Sequence, residues 1–199
     1  MIPQFNRNKA VDSVMTVHGL FLLGALAVLN LALSGCGAAS FDAVRSGLEG
    51  RGHYIEGVPF VKQTEYDCGP AALASVLSFH GKAADLERIT ANVYLPKLRG
   101  TLPMDLERYA KDEGFKTSSS AGTAAALKTA VRSNSPVICL LDLGFWFYRQ
   151  PHFVTVIGFD DGNGLFIMHD GGTPSKTMLY EDFEKKWARA GKWMIVITP

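Results

Sequence analysis

Cysteine is scarce in this chain, with three residues in 199, too few and too scattered for a disulfide framework. No Cys-x-x-Cys pair and no His-Glu-x-x-His helix is present, so a zinc site has no support. The Gly-x-x-x-x-Gly-Lys-Ser/Thr phosphate loop is also missing. Charge of one sign is not in excess: 20 basic and 19 acidic residues lie scattered without a block, which excludes a nucleic-acid surface. There is no internal repeat and no low-complexity tract, and no cofactor or metal is expected. What remains is a globular composition with enough apolar residues for one core.

The longest apolar run, Gly19 to Leu33, is too short for a comfortable membrane span, which takes about 20 apolar residues. Arg7 and Lys9 precede it, and Leu33-Ser34-Gly35-Cys36 closes it. This arrangement resembles a bacterial lipoprotein signal, cleaved before Cys36 with the cysteine then lipidated. Residues 1–35 read as that signal, 36–57 as a Gly/Ala/Ser-rich tether with at most a short helix near Phe41–Leu48, and 58–199 as one domain. Cleavage removes two of the 20 basic residues and one of the 19 acidic ones, so membrane attachment rests on lipid chains rather than charge. The resemblance implies a location in the cell envelope. In a Gram-negative cell, Gly37 after the cysteine implies the outer membrane.

Within the domain the period of the apolar residues changes midway. Helices are predicted from Cys68 to His80 with Gly81 beyond, over Ala84–Val93, from Pro103 to Glu113 before Gly114, and from a Thr123 cap to about Arg132. Strands follow at Pro136–Leu143, His152–Phe159, Leu165–Asp170 and Lys176–Leu179. The turn Asp160-Asp-Gly-Asn-Gly164 joins the second and third of these strands. A helix at Tyr180–Ala188 with Trp187 inward and a last strand at Trp193–Ile197 complete the chain. Helices first and an antiparallel sheet second make the fold class α+β.

The chemistry centres on Cys68. A cysteine reacts as the thiolate, and a helix N-terminus, with its unpaired N–H groups, favours a thiolate. Gly69 and Pro70 suit a first helical turn. Gln63, five residues earlier, carries an amide that can donate to an oxyanion formed beside the sulfur. Asp67 and Glu65 face solvent and oppose ionisation slightly. Cys139, inside the apolar run Val137-Ile-Cys-Leu-Leu141, reads as a packed core thiol.

A nucleophilic cysteine needs a base. His18 leaves with the signal, His53 sits in the tether, and His80 lies about 18 Å along the same helix at 1.5 Å per residue. Of the two remaining, His152 lies across the hairpin from residues 170–172, within reach of Asp170. His169 is adjacent to Asp170 and points to the opposite face. Asp170 is therefore expected to accept from one imidazole nitrogen and leave the other for the thiol.

The stretch Gln63-Thr-Glu-Tyr-Asp-Cys68-Gly-Pro-Ala-Ala-Leu resembles the active-site motif of the C39 cysteine peptidases, a papain-like group that includes bacteriocin-processing domains. Gly100-Thr-Leu-Pro-Met-Asp-Leu, Pro136-Val-Ile, Pro151-His-Phe-Val-Thr-Val-Ile-Gly158, Asp170 and Glu181-Asp-Phe183 to Trp187 follow in that family's order. The resemblance covers about residues 57–199. It implies a papain-like fold, Cys68 as nucleophile, His152 as base, Asp170 as its orienting residue, Gln63 as oxyanion donor, and a polypeptide substrate. Gly171 stands where the family usually has proline, a departure expected to loosen that loop. Many members sit in front of export ATPases. Here no nucleotide motif accompanies the domain, so any export machinery is a separate partner. Two other readings use the same residues: a non-catalytic peptide-binding lipoprotein, and an acyltransferase that delivers the acyl group to an amine. The segment Phe145-Trp146-Phe147-Tyr148, just before the histidine strand, is either a packed loop or an exposed wall near substrate or membrane.

Overall fold

The computed structural model describes residues 45, 47, 48, 50–64 and 66–199. The signal, Cys36, most of the tether and Glu65 lie outside the described residues.

Fourteen elements follow one another among them. Strand β1 (Gly52–Tyr54) precedes the helices α1 (Cys68–Phe79) and α2 (Leu86–Val93). A small hairpin of β2 (Tyr94–Leu95) and β3 (Gly100–Thr101) leads into α3 (Pro103–Asp112). Then come β4 (Lys116–Ala121), α4 (Ala124–Arg132), β5 (Val137–Asp142), β6 (Pro151–Asp160), β7 (Leu165–His169), β8 (Lys176–Leu179), α5 (Tyr180–Arg189) and β9 (Trp193–Thr198). The main sheet is antiparallel in the order β4-β9-β5-β6-β7-β8, with β1 added on β6.

The helix ends follow local chemistry. The Asp85 carboxylate accepts from the N–H groups of Glu87 and Arg88, and Thr123 Oγ1 accepts from Ala126 N–H. Pro103 opens α3, while Gly81 and Gly114 take φ of +80° and +94° just past their helices. Side chains of β5 alternate between two apolar clusters. Val137, Cys139 and Leu141 join Leu127, Val131, Phe183 and Trp187 from α4 and α5, whereas Ile138 joins residues of α1, α2 and α3. The sheet is thus covered on both faces, which is why its central strands are predominantly apolar.

The α+β class holds, with Cys68 on the first helix and the antiparallel sheet in the second half. Two pieces differ from expectation. Residues read as the end of a tether belong to the domain: Gly52–Tyr54 pair with Asp160–Gly158, and Ile55 is buried in the core. Gly52 permits the close approach, since a Cβ there would lie 2.2 Å from the Phe159 carbonyl. Strand β4, Lys-Thr-Ser-Ser-Ser-Ala, is a polar edge strand held by pairing with β9 rather than by an apolar face.

Candidate active site

Cys68 is the first residue of α1, and Asp67 before it offers no side-chain cap to the helix. The first N–H groups are therefore left for the sulfur: those of Cys68 and Gly69 both favour the thiolate. Gly69 is required by the approach of β3, because a Cβ there would sit 2.9 Å from Thr101 Cβ. The Gly-Thr segment and the cysteine motif are thus physically in contact. The main-chain N–H of Phe153 in β6 also favours the thiolate, and Cys68 and Phe153 line one pocket, so the head of α1 lies against the strand residue next to His152.

Burial nevertheless decides the sign. Loss of solvent pushes the Cys68 thiol up, more than the three N–H groups lower it, and Asp67 adds to the rise. The N–H groups at the helix start favour the thiolate, as expected, and burial outweighs them. Cys139 is fully buried, burial pushes its thiol far up, and both cysteines are free.

His152 is the second residue of β6 and half-buried. Its Nε2 lies 2.8 Å from the backbone carbonyl oxygen of Asp170. A carbonyl only accepts, so Nε2 carries the proton and the neutral ring leaves Nδ1 bare. Burial pushes the His152 pKa down against the opposing pull of that carbonyl and of the Asp170 carboxylate, and Lys176 adds to the fall. Both shifts favour a neutral thiol and a neutral imidazole at rest.

The Asp170 carboxylate does something other than expected. Oδ1 accepts from Gly172 N–H at 3.0 Å and Thr173 N–H at 2.6 Å, and Oδ2 pairs with Lys176 Nζ at 2.6 Å. The tight turn after β7 leaves these N–H groups without strand partners, and the nearest carboxylate takes them. Asp170 therefore meets His152 through its main chain, and its side chain shapes the loop that presents that carbonyl.

Gln63 enters through the same loop. Its N–H donates to the Gly171 carbonyl at 3.0 Å, and its side chain lies across Gly171. Gly171 has φ +78°, and a Cβ there would fall 2.1 Å from Gln63 Oε1. Proline, fixed near φ −65°, cannot occupy this position. The glycine does not loosen the loop, as expected, but lets Gln63 pack onto it. Gln63 Oε1 is buried without a hydrogen-bond partner. The 170–173 loop thus touches both His152 and Gln63, a connection no linear motif announces.

His169 is close to the same cleft but spent. Its Nδ1 accepts from Ser175 N–H at 3.0 Å, and its Nε2 donates to the Val58 carbonyl at 3.0 Å. Both nitrogens are engaged, so it cannot take a proton from Cys68. His80 bonds the Ile197 carbonyl and His53 bonds Asn134 Oδ1. Beside Cys68 lies a small pocket lined by Val61, Ala71, Ala72, Phe153 and Gly171 together with the polar Ser75, Thr155 and His169.

The model of the peptidase C39 family matches residues 58–199. No curated protein matches the chain. Among solved structures, a C39-like peptidase from Bacillus anthracis has 17% identity and a TM-score of 0.62, covering 74% of this chain and 98% of that one. A double glycine motif protease from an AMS/PCAT transporter, solved in complex with the leader peptide, has 20% identity and a TM-score of 0.60 over 74% of this chain and 94% of that one. The peptidase domain of Streptococcus ComA, a bi-functional ABC transporter involved in a quorum sensing pathway, has 23% identity and a TM-score of 0.56, covering 71% and 98%. At these identities the likeness shows a shared fold.

Proposed function

The chain belongs to the peptidase C39 family, and from that premise we propose that it is a cysteine endopeptidase of the cell envelope, lipid-anchored at Cys36. Cys68 attacks a peptide carbonyl while Nδ1 of His152 takes the thiol proton. The imidazolium then protonates the leaving amine, and water releases the acyl group from the sulfur. The oxyanion is held by the Cys68 N–H and the Gln63 amide. The Asp170 carbonyl keeps the proton of His152 on Nε2, so Nδ1 is always the acceptor.

One observation carries this reading. What supports it is that Cys68 and Phe153 line one pocket, with His152 the neighbour of Phe153 in β6 and, of the described histidines near Cys68, the one with a nitrogen left for proton transfer. The substrate class follows from the cleft and from a fold relative. The small size of the pocket beside Cys68 suits small residues before the cut, and the solved double glycine motif protease holds a leader peptide. The proposed substrate is an exported polypeptide with a small-residue, Gly-Gly-type cleavage site. Its export is left to separate machinery.

A peptide ending its leader in Gly-Gly, incubated with the full chain and followed by mass spectrometry, tests this. Cleavage is expected to vanish in Cys68→Ala, with the circular dichroism spectrum unchanged. Turnover that survives in this variant contradicts the proposal. A second reading, a peptide-binding lipoprotein, draws on the raised Cys68 thiol and on the Asp170 carboxylate being held by Lys176. It predicts peptide binding without cleavage in the parent chain. Acyl transfer is recognised in the same experiment by an amine adduct in place of the free acid. For the anchor, Cys36→Ser is expected to move the protein out of the membrane fraction.

A further inference from the structure

The loop between β5 and β6 exposes four consecutive aromatic side chains: Phe145 is 81% exposed, Trp146 86%, Phe147 90% and Tyr148 65%. Exposed singly, such residues need no explanation; four together at a loop tip do. The base of the loop is rigidly built. Asp142, 3% exposed, accepts from the N–H groups of Gly144 and Gln150 through Oδ1, both at 2.9 Å, and pairs with Arg149 Nε through Oδ2 at 2.9 Å. Leu143 N–H bonds the Gln150 carbonyl, Tyr148 N–H bonds the Phe145 carbonyl, and Arg189 donates to the Asp142 carbonyl. Gly144 lies so near the Tyr148 carbonyl that a Cβ would come within 1.9 Å of it. The tip is therefore a shaped projection, and Trp146 stands at φ +51° within it.

We propose that this loop is a membrane-docking tip, which inserts Phe145, Trp146 and Phe147 into the interface of a lipid bilayer and sets Arg149 and Arg189 at headgroup level. Three observations select lipid over a protein partner. The tip presents consecutive aromatic rings that are 65–90% exposed, which suits a deformable medium, and Trp and Tyr with their polar edges favour the bilayer interface. Arg149 and Arg189 stand at the base: Arg149 neutralises the buried Asp142 carboxylate, while Arg189, exposed and bonded to the Asp142 carbonyl, keeps its positive charge for an anionic headgroup. Finally, about 14 residues separate Cys36 from Gly50, a span of at most about 50 Å. A lipid at Cys36 therefore holds the domain at high effective concentration near the bilayer, where a weak insertion suffices. This last point rests on the proposed anchor; the first two do not. Docking would hold β6, which the loop feeds directly and which carries His152, at the membrane surface.

The experiment uses the full chain bound to vesicles of phosphatidylethanolamine and phosphatidylglycerol with brominated acyl chains. Trp146 is the exposed one of three tryptophans, since Trp187 is buried and Trp193 half-buried. Bromine is expected to quench about a third of the tryptophan emission through an inserted interfacial ring. The quench is expected to disappear in Trp146→Phe and to fall in Phe145→Ser/Phe147→Ser. Flotation in the same samples reports the anchor separately. A chain that floats with no Trp146-dependent quench overturns docking and leaves the anchor standing. A Phe147→Ser change that instead breaks a dimer, or raises KM for a soluble peptide without any quench, overturns it in favour of a second copy or the substrate. Docking with no peptide cleavage by the parent leaves docking intact and sinks the peptidase reading.

Discussion

The loops that enter β6 and leave β7 are built by one device and put to different use. Each hangs on an aspartate whose Oδ1 accepts two main-chain N–H groups and whose Oδ2 pairs with a cation: Asp142 with Gly144, Gln150 and Arg149, and Asp170 with Gly172, Thr173 and Lys176. Each contains a glycine that no other residue can replace without a clash. What differs is the packing. The 170–173 loop closes on Gln63 and His152, while the aromatic tip closes on nothing. The carboxylate gives a loop its shape, and the neighbours of that shape give it a task.

The largest test of this contrast pairs the two glycines. Gly171→Ala pushes Gln63 off the loop and is expected to lower kcat/KM for peptide cleavage about 100-fold, as loss of an oxyanion donor does. Gly144→Ala is expected to abolish the brominated-lipid quench and leave soluble-peptide cleavage within about 3-fold. Equal losses of cleavage in both variants would erase the distinction between the loops.

Next in size are the aspartates themselves, compared by chemical denaturation. Asp142→Ala leaves the buried Gly144 N–H without an acceptor and empties the buried carboxylate site that Arg149 pairs with, and is expected to cost about 2–3 kcal/mol. Asp170→Ala is expected to cost about 1 kcal/mol, because Gly172 and Thr173 are exposed and water can replace the carboxylate. Both carboxyls are held below their ordinary range. For Asp142, burial pushes upward, but the Gln150 and Gly144 N–H groups with Arg149 and Arg189 outweigh it; for Asp170, burial is outweighed by Lys176 and the turn N–H groups. The stability they contribute is therefore present above the unfolded value of about 3.9 and lost as pH falls through the lower folded values. A reversed order of the two costs would contradict the burial argument.

The smallest effect is the most diagnostic. Asp170→Asn keeps the main-chain carbonyl and a side-chain acceptor, so cleavage is expected to fall less than about 10-fold. A carboxylate that orients the histidine directly would cost about 10⁴. A loss of that size would show that the carboxylate turns onto His152 when substrate binds.

The helices and the long hairpin were legible because their ends carry local signals: Thr123, Pro103, Gly114 and the Asp160–Gly164 turn act within a few residues of the feature they set. Strand β4 was not, because three serines in a row show no apolar alternation, and its partner β9 lies at the other end of the chain. Strand β1 hid in a glycine-rich stretch for the same reason. At the candidate site, the helix bearing Cys68 and the strand bearing His152 could be read from periodicity and turn residues. The bond from His152 to a backbone carbonyl could not, since a main-chain acceptor has no residue type to betray it. Nor could the packing of Gln63 on Gly171, a contact between distant segments at a position where a missing Cβ is the whole signal.

The most direct test is the pH dependence of kcat/KM for a Gly-Gly peptide, measured on the parent chain and on His152→Ala. Burial holds His152 below the ordinary value of about 6.5, so the acid limb of the parent is predicted below it, with activity maintained at neutral pH. In His152→Ala that limb is predicted to vanish along with at least about 100-fold of the rate. An acid limb that persists unchanged in His152→Ala, or a rate that does not fall, would contradict the assignment of His152 as the base for Cys68.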